Sequence, residues 1–124
     1  MARRLFYETM TVAPPGEALL EGASFLEQTT TAPRYRLFSL GGFPVLVEDH
    51  ESGCAIDVQV WEVPDDCWQR ILEDEPPEMV PGNVALEDGR RVETMLGPRE
   101  WVDARGGVDV SAHGGWRAYL AAES

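Results

Sequence analysis

The chain has 124 residues, the size of one domain with a modest core, and its 44% hydrophobic and 26% charged residues are those of a folding chain rather than a disordered one. Ten Lys+Arg against 22 Asp+Glu leave a net charge of -12, which repels phosphate backbones and anionic lipid, so neither nucleic acid nor a membrane is expected as a partner. All ten basic residues are Arg, which removes lysine Schiff bases, P-loop nucleotide sites and Ser-Lys amidase triads from consideration.

The acidity is spread along the chain: residues 1–62 hold four Arg against nine acids, and residues 63–124 six against thirteen. Phe43-Pro44-Val45-Leu46-Val47 is the most hydrophobic run and is far too short to span a bilayer. Arg3 and Arg4 imitate the charged start of a signal peptide, but Glu8 and Pro14-Pro15 break up the apolar stretch such a peptide needs, so a cytoplasmic protein is expected. Cys54 and Cys67 fit no zinc or redox spacing and read as two reduced thiols; with two separated histidines they make no metal site, and no cofactor is expected.

In chain order, Leu5-Phe6-Tyr7 reads as a first strand, followed by the breakers of Val12 to Gly16 and a short apolar pair at Leu19-Leu20. Strands are expected from Ala23 to Thr31, from Tyr35 to Leu40 with a stop at Gly41-Gly42, and from Phe43 to Glu48. The clearest strand is Ala55 to Val63. Its alternation places Ile56, Val58 and Val60 on a core face, and Asp57, Gln59, Trp61 and Val63 on a face that is either an outer surface or the lining of a cavity. Pro64 ends it. Asp65 is suited to cap a helix running to about Asp74, with Cys67, Trp68, Ile71 and Leu72 as its apolar stripe and Pro76-Pro77 as its stop. Glu87-Asp88-Gly89-Arg90 signals a hairpin between Val84–Leu86 and Arg91–Leu96, with Asp-Gly supplying positive φ angles. After Gly114-Gly115, the segment Trp116 to Glu123 has helical spacing of Trp116, Tyr119 and Leu120. The pattern is that of a small α+β or barrel-like fold.

Four blocks of residues resemble, in order, the C-terminal domain of allophanate hydrolase. Ala32-Pro33-Arg34-Tyr35-Arg36-Leu37 is similar to its APxYRL, and the run from Cys54 to Pro64 to its AIxVxVWxLP. Leu86-Glu87-Asp88-Gly89-Arg90-Arg91-Val92 is similar to its LxDGRxV, and Gly114-Gly115-Trp116-Arg117-Ala118-Tyr119-Leu120 to its GGWRAYL. The resemblance covers roughly residues 22–121 and implies one domain, 1–124, of the γ-glutamyl cyclotransferase-like fold: an α+β small mixed β-barrel with a ligand cavity and flanking short helices.

The wider cyclotransferase superfamily carries a loop similar to YGTL after its first strand, and Tyr7-Glu8-Thr9-Met10 occupies that place. In such loops backbone N–H groups receive a substrate carboxylate, so the resemblance implies a binding role for these four residues, with Glu8 standing where glycine is usual. Leu72-Glu73-Asp74-Glu75-Pro76 resembles the superfamily's LDxxEG, which makes Glu75 the candidate catalytic acid/base; its bland alternative is a solvated member of the acidic run through Glu78. One carboxylate suffices to move a proton between a tethered amine and a leaving amine.

His113, beside two glycines, is a second proton-carrier candidate, and the alternative readings of the remaining residues stay open. Trp61 and Trp116 either wall a small-molecule pocket or pack a core. Arg117 either clamps a substrate carboxylate or pairs with an acid of the chain. The expected function is therefore that of a small enzyme on a carboxylate-bearing amide or urea derivative. It either closes a γ-glutamyl amide into a lactam or decarboxylates an N-carboxylated urea product. The alternative is a non-catalytic module, with an amidase-type protein or a second copy of itself as partner.

Overall fold

The computed structural model describes residues 2–6, 24–41, 43–74 and 76–123. Its elements are β1 (Ala2–Phe6), β2 (Ser24–Thr30), β3 (Tyr35–Leu40), β4 (Phe43–Glu48), β5 (Asp57–Val63), α1 (Asp65–Asp74), β6 (Val80–Ala85), β7 (Arg91–Leu96), α2 (Arg99–Ala104), β8 (Val108–Asp109), a 3-10 turn (Ser111–His113) and α3 (Trp116–Glu123). The pair Leu19-Leu20 and the Val12 to Gly16 breakers lie outside the described residues.

The strands pair as two sheets. The larger runs β2-β5-β1-β7-β6, all antiparallel except for the β1–β7 contact, and the smaller runs β4-β3-β8. The fold is thus mixed α+β, and among the described residues the ladders form no closed ring. The larger sheet does curl back on itself at one corner: Thr31 bridges Leu86, Ala32 donates to the Ala85 carbonyl at 2.9 Å, and Glu87 donates to the Thr30 carbonyl at 3.0 Å. The Thr30 hydroxyl also donates to the Glu87 carboxylate there, and Arg90 spans the same corner by gripping Glu27 of β2 with two nitrogens and Asp88 with a third.

Period-two alternation assigns the two faces of the smaller sheet to two different cores. Tyr35, Leu37 and Leu46 face a cluster with Ile56, Val58, Val60, Val84, Leu86, Val92, Val110 and Trp116. Phe38, Val45 and Val47 face a second cluster with Cys67, Trp68, Met79, Met95 and Val102. A strand covered on both sides must be apolar throughout, which is why the run at Val45 to Val47 is continuous rather than alternating. Ile56 and Val58 at 0% and Val60 at 1% exposure confirm the core face read in β5.

Three local details differ from the sequence reading. The Trp68 amide donates to the Pro64 carbonyl at 3.0 Å, so Pro64 rather than Asp65 is the capping residue; Asp65 and Asp66 lie in the first turn, where the helix dipole favours them. In the hairpin only Gly89 has positive φ (+91°) and the Gly89 amide donates to the Leu86 carbonyl. The loop is therefore a type I turn followed by a left-handed glycine, not a two-residue turn with Asp88 also inverted. Finally, α2, β8 and the 3-10 turn have no counterpart among the expected elements. α2 has six residues, of which only Val102 is fully buried, too short for a periodic signal. Two-residue β8 is held by its partner β3 rather than by propensity.

Candidate functional site

The register of the larger sheet sets the geometry. β1 lies centrally, with Phe6 opposite Gln59 and Arg4 opposite Trp61 of β5, while Gln28 of β2 lies opposite Gln59 from the other side. The loop residues Tyr7, Glu8, Thr9 and Met10 come next in sequence but lie outside the described residues, as does Glu75 and as does the side chain of Arg117. The backbone on either side of Glu75 is described: α1 ends at Asp74, and beyond it the Met79 amide donates to the Pro76 carbonyl at 3.0 Å to turn the chain into β6.

On the face of β5 opposite Ile56, Val58 and Val60, Gln59 is buried while Asp57 and Trp61 are half-buried. Gln59 is only 6% exposed and its side-chain oxygen accepts the Trp61 indole N–H at 3.2 Å. A buried amide is held where its polar atoms find partners. Gln59 is thus a buried, partnered amide opposite the last residue of β1. The signal available in the sequence was an amide sharing a strand face with Trp61 and Asp57.

Trp61 is half-buried against the cluster that includes Cys67 and Trp68, whereas Trp116, 1% exposed, belongs to the cluster of Tyr35 and Val58. The two indoles therefore do not share a wall. His113 is exposed on the 3-10 turn, its ring edge-on to Tyr119 with centroids 5.4 Å apart, and Tyr119 in turn lies 5.1 Å from the Trp116 ring. This turn is fastened to β5, since the Asp57 amide donates to the Gly114 carbonyl at 2.7 Å and Asp57 bridges Gly115. It is fastened to β3 as well: Leu37 donates to the Ser111 hydroxyl at 2.8 Å, and Val110 donates to the Leu37 carbonyl.

Charges flank this framework rather than fill it. Burial raises the Asp109 carboxyl, but hydrogen bonds from the Ser111 hydroxyl and amide and from Arg36 outweigh it and hold the group below its ordinary range. The Arg36 guanidinium bonds Asp109 at 2.6 Å and is raised, chiefly by that bond. Burial pushes the Cys67 thiol up. Among the described residues no cluster of three metal-ligating side chains occurs, and no helix is long and apolar enough to cross a membrane.

Taken together, the curled five-stranded sheet, the three-stranded sheet and the glycine-linked terminal helix define a class of small α+β domain. The same arrangement is found, as a likeness of fold, in an AIG2-like protein (GGACT) from Mus musculus, with TM-score 0.60, 18% identity and 82% of each chain covered. It is closer to Kluyveromyces lactis allophanate hydrolase, with TM-score 0.88 and 22% identity over 99% of this chain and 21% of that one. Residues 9–121 match the family described as the allophanate hydrolase C-terminal domain, and the chain belongs to it. A curated relative, urea amidolyase of Saccharomyces cerevisiae, is 32% identical over 105 residues, which are 79% of this chain but 6% of that protein. The chain thus spans a small fraction of the curated relatives it matches.

Proposed function

We propose that this chain acts on a carboxylate-bearing product of urea breakdown alongside an amidase-type enzyme, with Glu75 moving the proton. The observation that carries the reading is the family match over residues 9–121, joined to 32% identity with a urea amidolyase. In a decarboxylation of an N-carboxylated urea product, the C–N bond to the departing carboxylate breaks and carbon dioxide leaves. The electron pair stays on nitrogen, which takes a proton from the Glu75 carboxyl. A carboxyl partly removed from water keeps its proton to higher pH, which suits this task.

Within this reading the backbone of Tyr7, Glu8, Thr9 and Met10 and the guanidinium of Arg117 hold the substrate's anionic end. Gln59 lies opposite Phe6, the last residue of β1, and is assigned a polar contact to the substrate in this reading. Trp116 acts from the packed core by fixing α3, and His113, exposed on the 3-10 turn, relays protons. The curled sheet encloses the site in the manner of a small barrel, and two unlinked cysteines fit a cytoplasmic setting. The lactam-forming variant uses the same acid/base. The amine attacks its own γ-amide carbonyl, a C–N bond forms as the bond to the leaving amine breaks, and Glu75 transfers the proton from one nitrogen to the other. The likeness to the AIG2-like protein supports that variant only through the fold.

The test supplies the N-carboxylated substrate in situ from an amidase and follows carbon dioxide release, with a panel of γ-glutamyl amides assayed for lactam in parallel. Release faster than the uncatalysed rate, lost in Glu75→Gln at unchanged melting temperature, is the expected result. Equal rates in parent and variant would remove Glu75 from the mechanism. A second reading, a non-catalytic module bound to an amidase-type enzyme, is favoured by Glu8 in place of glycine and by the 6% share of the relative's length. It predicts no turnover in either assay but stable co-elution with the amidase.

A further inference from the structure

A groove of about 360 Å³ opens where the end of β4 meets the β6–β7 hairpin and the lead into α2. Its walls are apolar: Val47 from β4, the register pair Val80 and Leu96 from β6 and β7, and Pro98. Its floor is Gly97, whose amide donates to the Leu46 carbonyl at 3.0 Å and where a Cβ would lie 2.4 Å from a Val45 methyl. Val80 is 53% exposed at the rim, so the groove leaves an aliphatic surface in water instead of enclosing it. A free small molecule seated there would remain largely solvated, whereas one side chain of a longer ligand would be anchored.

The rim selects the charge of that ligand. Glu48 and Glu78, both exposed, stand on it, and among the described residues the one cation lining the groove, Arg99, is already engaged. Arg99 bonds Asp103 at 3.1 Å, lies 4.0 Å from Asp49, and stacks 4.8 Å above the Phe38 ring. The His50 ring nitrogen lies 3.3 Å from the Glu48 carboxylate, outside the groove lining. Pro81 in β6 and Pro44 in β4 lack the N–H that a strand added along either edge would need, so the occupant is held by its side chains.

We propose that this groove docks an extended peptide segment of a partner protein, with one aliphatic side chain seated between Val47, Val80 and Leu96 and flanking Arg or Lys residues on Glu48 and Glu78. The site is independent of the Glu75 reading and stands or falls separately from it.

The experiment titrates the full chain with three labelled peptides of equal length: one basic with a central Leu, one basic with a central Ser, and one acidic with a central Leu. Methyl NMR of Val47, Val80 and Leu96 is the second readout. The basic Leu peptide is expected to bind and shift these methyls, and Glu48→Gln/Glu78→Gln to weaken it about fivefold or more, because both rim carboxylates that attract the peptide's cations are then neutral. Val80→Asp should abolish the methyl shifts. Asp66→Asn/Glu73→Gln, which removes the same charge from α1, should leave binding unchanged. Equal binding of the Ser peptide, or equal weakening by the α1 pair, would reduce the effect to attraction by an acidic chain and overturn the proposal. Absence of binding, or methyl shifts that track self-association of the chain alone, would overturn it as well.

Discussion

Asp57 at the start of β5 and Gly115 at the start of α3 lie against each other in a parallel bridge, so close that a Cβ on Gly115 would stand 2.9 Å from the Cβ of Asp57. Gly115 also gives its carbonyl to the Tyr119 amide at 3.1 Å, the first bond of α3, so the glycine is at once the helix cap and the point of contact with the sheet. Two sequence blocks almost sixty residues apart are therefore one structural joint, with the Asp57 carboxylate near the positive end of the helix.

Gly115→Ala tests that joint. The contact is below what real side chains tolerate, so backbone must move, and a loss of about 1–3 kcal/mol is expected, partly offset by the stiffer unfolded chain. Thermal unfolding monitored by circular dichroism should show a drop of several degrees, together with loss of the His113–Tyr119 ring contact by NMR. An unchanged melting temperature would mean that the bridge is not tight.

Tyr35→Phe removes a hydroxyl that is 1% exposed at residue level and accepts the Ala85 amide at 2.9 Å. The amide is left buried without its partner, at a cost of about 1–3 kcal/mol. A lower denaturant midpoint at constant slope is expected, with faster hydrogen exchange at Ala85 than at Val84.

Acid should loosen the C-terminal joint through Asp109. Its carboxyl is depressed in the folded chain despite burial, by Ser111 and Arg36. The folded state therefore binds this proton less readily than the unfolded one, whose value is about 3.9. The stabilisation is complete above that value and is lost as pH falls through it toward the lower folded value. Melting temperatures between pH 6 and pH 2.5 should fall less steeply in Asp109→Asn than in the parent; identical slopes would show that the group does not contribute.

The two thiols should separate by reactivity. Cys67 is 1% exposed and raised by burial, whereas Cys54 is half-buried with its sulfur 3.5 Å from the Tyr35 carbonyl. Because the thiolate is the reactive form, alkylation of the native protein at pH 8 should mark Cys54 first and reach Cys67 only on unfolding. Mass spectrometry of the digest checks this, and equal labelling would mean that α1 is not packed as described.

The local rules of the chain were legible without coordinates. β3, β4 and α3 fall at the residues where alternation, breakers and helical spacing put them, and α1 begins and ends between its prolines. That is so because each of these segments carries its own apolar pattern and its own stop. The family, too, was readable from four short blocks, since these hold the residues that the joints of the fold require: a glycine against Asp57, a tyrosine reaching Ala85, a glycine turning the hairpin.

What the sequence could not decide is which apolar face meets which. Val45 and Leu46 are adjacent and equally hydrophobic, yet they serve separate cores, and nothing local distinguishes them. Trp61 and Trp116 are equally able by type to wall a pocket or to pack a core, and the fold places them in separate clusters. Gln59 stands on a face that alternation leaves open between surface and cavity lining, and only the register sets it, buried, opposite the end of β1. Local pattern is set by neighbours a few residues away, whereas burial is set by pairings as distant as Arg4 with Glu93 and Phe38 with Asp109, and those exist only once the sheets have formed.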